Sequence, residues 1–120
     1  MAKVLMLDHK EYAQDVATSI YRRLRQEIPD IEMRLERDCM PERIPPDYDY
    51  YLVHLSSTDV DRLEELREEN PSAFIIGMSD MCCVEPEMPE ILEKVLDAYT
   101  ERGASERNLD RLARLIRSRA

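Results

Sequence analysis

Tyr50-Tyr-Leu-Val-His-Leu55 is a nearly unbroken apolar run of strand length, interrupted only by His54 and followed by Ser56, Ser57 and Thr58. A run without polar-out alternation belongs to a strand covered on both faces, as in a parallel sheet, so residues 50 to 55 are expected to form the central strand. The three hydroxyl residues behind it are loop and helix-cap material. Two more runs of the same kind lie on either side in sequence: Val4 to Leu7, ended by Asp8, and Ala73 to Met78.

The segments between these runs read as helices. Asp8 and Glu11 have the spacing of a capping box, with Asp in place of Ser or Thr. Ala13, Val16, Ala17, Ile20, Leu24 and Ile28 then recur at helical intervals before Pro29, which predicts a helix over about 10 to 27. Ile31, Met33 and Leu35 alternate with charged residues, the pattern of a half-buried edge strand. Pro41, Pro45 and Pro46 make residues 38 to 47 a loop or at most one helical turn. Val60, Leu63 and Leu66 form the narrow apolar stripe of a charged helix that stops at Asn70-Pro71. Met88, Ile91, Leu92, Val95, Leu96 and Tyr99 predict a further helix over 89 to 102, with Pro89 in its first turn and Gly103 at its C-terminal cap. Leu109, Leu112, Ala113 and Ile116 mark the last one. Strands alternating with helices imply an α/β layer fold around a parallel sheet.

With 120 residues, 43% of them hydrophobic, the chain has material for one domain. Its two glycines, Gly77 and Gly103, exclude glycine-rich phosphate cradles. A net charge of −9 disfavours nucleic acid and anionic membrane, both of which select basic surfaces, and suits a protein partner that is basic or apolar. Residues 1 to 99 hold 11 basic and 23 acidic side chains, whereas residues 100 to 120 hold 6 and 3, so a basic amphipathic helix follows an acidic body. The short apolar run at the start does not resemble a signal peptide, and no stretch approaches the ~20 apolar residues of a membrane span. A cytoplasmic protein is expected. Cys39 and the adjacent Cys82 and Cys83 read as reduced thiols, with no CxxC spacing among them.

Lys3-Val-Leu-Met-Leu-Asp8, Asp49-Tyr-Tyr-Leu-Val-His54 and Phe74-Ile-Ile-Gly-Met-Ser79, in this order of elements, resemble the receiver domain of two-component response regulators over roughly residues 3 to 80. The resemblance implies a flavodoxin-like three-layer sandwich and a pocket at the strand ends. There, Asp8 takes the place of the first Mg²⁺-binding acid, His9 that of the second, His54 that of the phosphoacceptor aspartate, and Ser79 that of the switch hydroxyl. Phosphoryl transfer to a carboxylate needs that carboxylate as nucleophile and oxygen ligands for the metal, so the aspartyl-phosphate switch is expected to be absent. Met81-Cys-Cys-Val-Glu-Pro86 stands only a few residues after Ser79, too few for the crossover to a neighbouring parallel strand. The expected sheet therefore has four strands in the order 2-1-3-4, with the usual fifth strand absent or altered and Ala73 to Met78 at an edge.

These readings lead to a single receiver-like domain over 1 to 120, with 104 to 120 as its C-terminal helix, acting as a phosphorylation-independent protein-interaction module in signalling. Neither a nucleophile–base pair nor an acid–base pair can be assembled, so no enzyme and no cofactor are expected; Ser56, Ser57 and Ser79 have no activating base at a recognisable offset. The rival reading is a metal-binding or metal-sensing domain using His9, His54 and Asp8, with Cys82 or Cys83 as a further ligand. The open edge predicts a homodimer. Arg111, Arg114 and Arg117, beside the stripe of Leu109, Leu112 and Ile116, are the candidate interaction residues.

Overall fold

The structure, a computed structural model, describes residues 2–8, 14–36, 44–55, 60–79, 94–101, 103 and 105–118. Its elements are β1 (Lys3–Leu7), α1 (Gln14–Glu27), β2 (Glu32–Glu36), β3 (Tyr50–His54), α2 (Val60–Glu69), β4 (Phe74–Ser79), β5 (Ala98–Glu101) and α3 (Glu106–Arg117). All strand pairs are parallel, and the sheet runs β2-β1-β3-β4-β5, the flavodoxin-like order of an open α/β fold.

Strand alternation sorts the apolar runs onto two faces. Val4, Met6, Tyr50, Leu52, Ile76 and Met78 pack with Ala17, Ile20 and Leu24 of α1 and with Leu109, Leu112, Ala113 and Ile116 of α3. Leu5, Leu7, Tyr51, Val53 and Ile75 pack on the other face against Leu63 and Leu66 of α2, together with Ile44, Ala73 and Val95. The three layers are thus α1 and α3, the sheet, and α2. β3 is buried along its whole length, whereas β2 is half-exposed, in keeping with its alternating sequence at the edge.

The expected four-stranded sheet is corrected at its far end. Residues 98 to 101 are a fifth strand, paired from Ile76↔Ala98 to Ser79↔Glu101, so β4 is interior. The predicted helix over 89 to 102 cannot extend past residue 95, since Leu96 and Asp97 are non-helical and β5 follows. Gly103 accordingly caps no helix there. Its carbonyl instead accepts from Asn108 Nδ2 at 2.8 Å, while Ser105 caps α3 by accepting from the Asn108 amide at 3.3 Å. The argument for a dimer through a bare β4 loses its premise. β5, the actual edge, is a four-residue strand, and short edge strands are poor templates for pairing.

Side chains fasten β5 in place. Asp97 Oδ2 accepts from the Ile75 amide at 2.8 Å and from Arg67 at 2.6 Å, and the Asp97 amide donates to the Ile75 carbonyl at 2.8 Å. Arg67 also donates to the carbonyls of Val95 (2.6 Å), Ala73 (2.8 Å) and Pro71 (3.1 Å), which ties the end of α2 to the segments that lead into β4 and β5. On the opposite face Arg23 of α1 pairs with Glu27, and with Glu106 and Asp110 of α3, at 2.6 to 2.7 Å.

Candidate functional site

Asp8 stands one residue past β1. Its amide continues the ladder by donating to the Glu36 carbonyl at 3.2 Å. Because Leu7 pairs with Val53, the next step sets Asp8 beside His54, the last residue of β3. Alternation sends both side chains to the face shared with Met6 and Leu52, and His54 Nδ1 lies 3.4 Å from Asp8 Oδ1. Asp8 is fully buried and His54 is 5% exposed. A carboxylate at such depth is costly unless a partner compensates it, and the imidazole supplies that partner as an ion pair when protonated.

Ser79 ends the neighbouring strand β4, so Asp8, His54 and Ser79 occupy the carboxyl ends of three adjacent strands, where open α/β sheets bind ligands. Their side chains do not converge. Ser79 follows Ile75 and Gly77 in alternation and shares a short hydrogen bond with the Tyr99 hydroxyl of β5. Tyr99 in turn accepts at its carbonyl from Arg111 of α3, at 3.4 Å. Tyr99 reads from the sequence as a helix position, so its link to Ser79 becomes visible only once β5 exists. Thr100, buried next to it, donates to Asn108 Oδ1 at 3.1 Å and fixes α3 against the strand.

His9, Cys39, Cys82 and Cys83 lie outside the described residues. Among the described residues there is no group of three or more His, Cys, Asp or Glu side chains that could hold a metal ion. The metal reading keeps Asp8 and His54 side by side, but its third member, His9, is one of the residues not described.

On α3, Leu109, Leu112 and Ile116 are buried in the core, so they serve the fold and are not surface contacts. Arg111, Arg114 and Arg117 are exposed. Arg117 approaches Glu27 Oε2, a buried oxygen without a hydrogen-bond donor among the described residues, at 3.5 Å, while Arg23 holds the other oxygen of that carboxylate at 2.6 Å.

A cavity of about 510 Å³ opens at the other, amino end of the strands, lined among others by Ala2, Ile31, Tyr48, Asp49 and Tyr50. Near it, the hydrogen bond from Lys3 Nζ to Asp47 at 3.3 Å raises the Lys3 pKa and lowers that of Asp47. Beneath the α2 face, burial pushes the Tyr51 phenol upward; its hydroxyl donates to the Pro45 carbonyl and accepts from the Tyr48 amide.

The fold and this site define an open, doubly wound α/β protein with a buried carboxylate–imidazole pair at the carboxyl end of its sheet. Compared with known proteins, the chain matches no family model and no curated sequence. No helix among the described residues is long and apolar enough to cross a membrane.

Proposed function

We propose that this chain is a cytoplasmic, receiver-like regulatory domain that works by binding other proteins and does not use an aspartyl phosphate. The observation that carries the reading is the Asp8–His54 pair. At the carboxyl end of the central strand an imidazole is turned on a buried carboxylate, and it is this residue, His54, that the resemblance aligns with a receiver's phosphoacceptor. Two features support it. The Ser79 hydroxyl is engaged by Tyr99 and not directed at that pair. The fifth strand, although present, ends at Glu101, and the chain contains no lysine after Lys94, so the lysine with which receivers end that strand is absent from the sequence and Arg102 is the basic residue that follows. Binding at the surface suits a protein in which the described side chains at the strand ends, Asp8 with His54 and Ser79 with Tyr99, engage one another.

The test is incubation with acetyl phosphate or phosphoramidate and Mg²⁺, followed by intact-mass measurement. We expect an unchanged mass. A stoichiometric phosphoryl adduct removed by hydroxylamine would identify an acyl phosphate and overturn the reading.

A further inference from the structure

The exposed faces of α2 and α3 carry opposite charges in the same pattern. On α3, Arg107, Arg111 and Arg114 follow one another at i, i+4 and i+7, and all three are exposed. On α2, Asp61, Glu65 and Glu68 have the identical spacing and are likewise exposed. Each stripe lies opposite the residues that its helix buries: Leu109, Leu112, Ala113 and Ile116 on α3, and Leu63 and Leu66 on α2. At 1.5 Å per residue, both stripes span about 10 Å, so three acids can face three arginines in register.

The two helices cover opposite faces of the sheet, which prevents the stripes from meeting within one chain. We propose that they meet between chains, α3 of one copy lying on α2 of the next. The occupant of the arginine stripe is thus a second copy of this protein. Its overall acidity gives the basic helix a complementary surface on every other copy. Such a contact is heterologous, since each copy offers α2 to one neighbour and α3 to another. It propagates into an open chain or a ring and does not stop at a symmetric dimer. Intramolecular bonds at Glu65 and Arg111 use part of each group: Glu65 accepts from Arg62 at 3.2 Å through Oε1, and Arg111 donates to the Tyr99 carbonyl through one nitrogen. Exposed pairs are individually weak and screened by salt, so the assembly is expected at high protein concentration and low ionic strength.

This inference gives the interaction reading its partner, and it stands or falls separately from the acyl-phosphate test. Sedimentation equilibrium on the full chain should show a weight-average mass that climbs with concentration beyond twice 14.2 kDa in ~20 mM salt and returns to the monomer in ~0.3 M NaCl. Two variants then test the surfaces. Arg107→Glu/Arg111→Glu/Arg114→Glu reverses α3, and Asp61→Lys/Glu65→Lys/Glu68→Lys reverses α2. Each alone should keep a native circular dichroism spectrum and associate at least tenfold more weakly, because acid then faces acid or base faces base. Mixed together, they should recover association, since each supplies the charge that the other lacks. A wild type that stays monomeric at ~1 mM and low salt would overturn the proposal, as would a variant that self-associates like the wild type or a mixture that fails to recover. Should a variant misfold, the salt titration of the unmodified chain decides alone.

Discussion

A buried carboxylate and the imidazole beside it are energetically interdependent, because removing one member takes a partner at 3.4 Å from a desolvated polar group. Asp8→Ala is therefore expected to cost about 3 kcal/mol in urea unfolding, more than the loss of a solvent-facing side chain would. Combined with His54→Ala, it should show a coupling of about 1 to 3 kcal/mol in a double-mutant cycle; simple additivity would mean that the 3.4 Å approach carries no energy. Tyr51 makes a pH prediction. Its folded-state pKa is raised by burial, so in alkali the unfolded chain releases the phenolic proton first. The stability that the neutral phenol contributes is complete below the ordinary tyrosine value of about 10 and is lost as the pH climbs through the higher folded value. Tyr51→Phe, which also removes the bonds to Pro45 and Tyr48, should cost about 1 kcal/mol at neutral pH yet make the alkaline fall shallower; a parallel fall in both proteins would contradict this. At this scale the sequence is legible where a single residue interrupts an apolar run, as His54 does. It is not legible at Ser79, whose partner is chosen by a strand that periodicity assigns to a helix.

The fifth strand shows why element boundaries can be lost. Val95, Leu96 and Tyr99 continue the helical intervals of Met88, Ile91 and Leu92, so the apolar pattern runs past the point where the backbone changes direction. The decision is made outside that pattern: Asp97 docks on the Ile75 amide and Arg67 holds Asp97 from α2. Tertiary contacts 22 and 30 residues apart leave no local signal. The three core strands and the outer two helices, by contrast, are set by burial on both faces or by one clear stripe, and they appear where the apolar pattern expects them. It follows that Arg67, half-buried at the end of a charged helix, should govern β5 more than its place in the sequence suggests. Arg67→Ala is expected to destabilise by about 2 to 4 kcal/mol, with Val95 and Ala73 losing a donor at their carbonyls and Asp97 losing its cation. Arg67→Lys should recover less than half of this, since one ammonium cannot reproduce the planar fork. Hydrogen exchange should show protection lost first at the β4–β5 ladder; uniform loss through the sheet would place the role of Arg67 elsewhere.

For the whole molecule, charge has two opposing consequences. With 26 acidic and 17 basic side chains, the compact state suffers net self-repulsion, which dissolved salt screens. The same salt weakens attraction between an arginine stripe on one copy and an acidic stripe on another. Local networks complicate the first effect, since Arg23 with Glu27, Glu106 and Asp110 is an attraction that salt also screens. That cluster is short-ranged and partly buried, however, whereas the repulsion is summed over the surface at distances near the Debye length of about 10 Å at 0.1 M, where screening acts most. The balance should favour repulsion. In dilute protein, where mass action between copies does not contribute to stability, raising NaCl from ~20 mM to ~0.5 M should increase the urea midpoint, by an amount equivalent to about 1 kcal/mol. In concentrated protein the same change should disperse the assembly. Opposite responses of folding and association to one variable would locate the attractive charges between chains and the repulsive ones within them. A fold that weakens in salt would show instead that intramolecular pairs such as the Arg23 cluster dominate, and the acidic surface would then be balanced within the single chain.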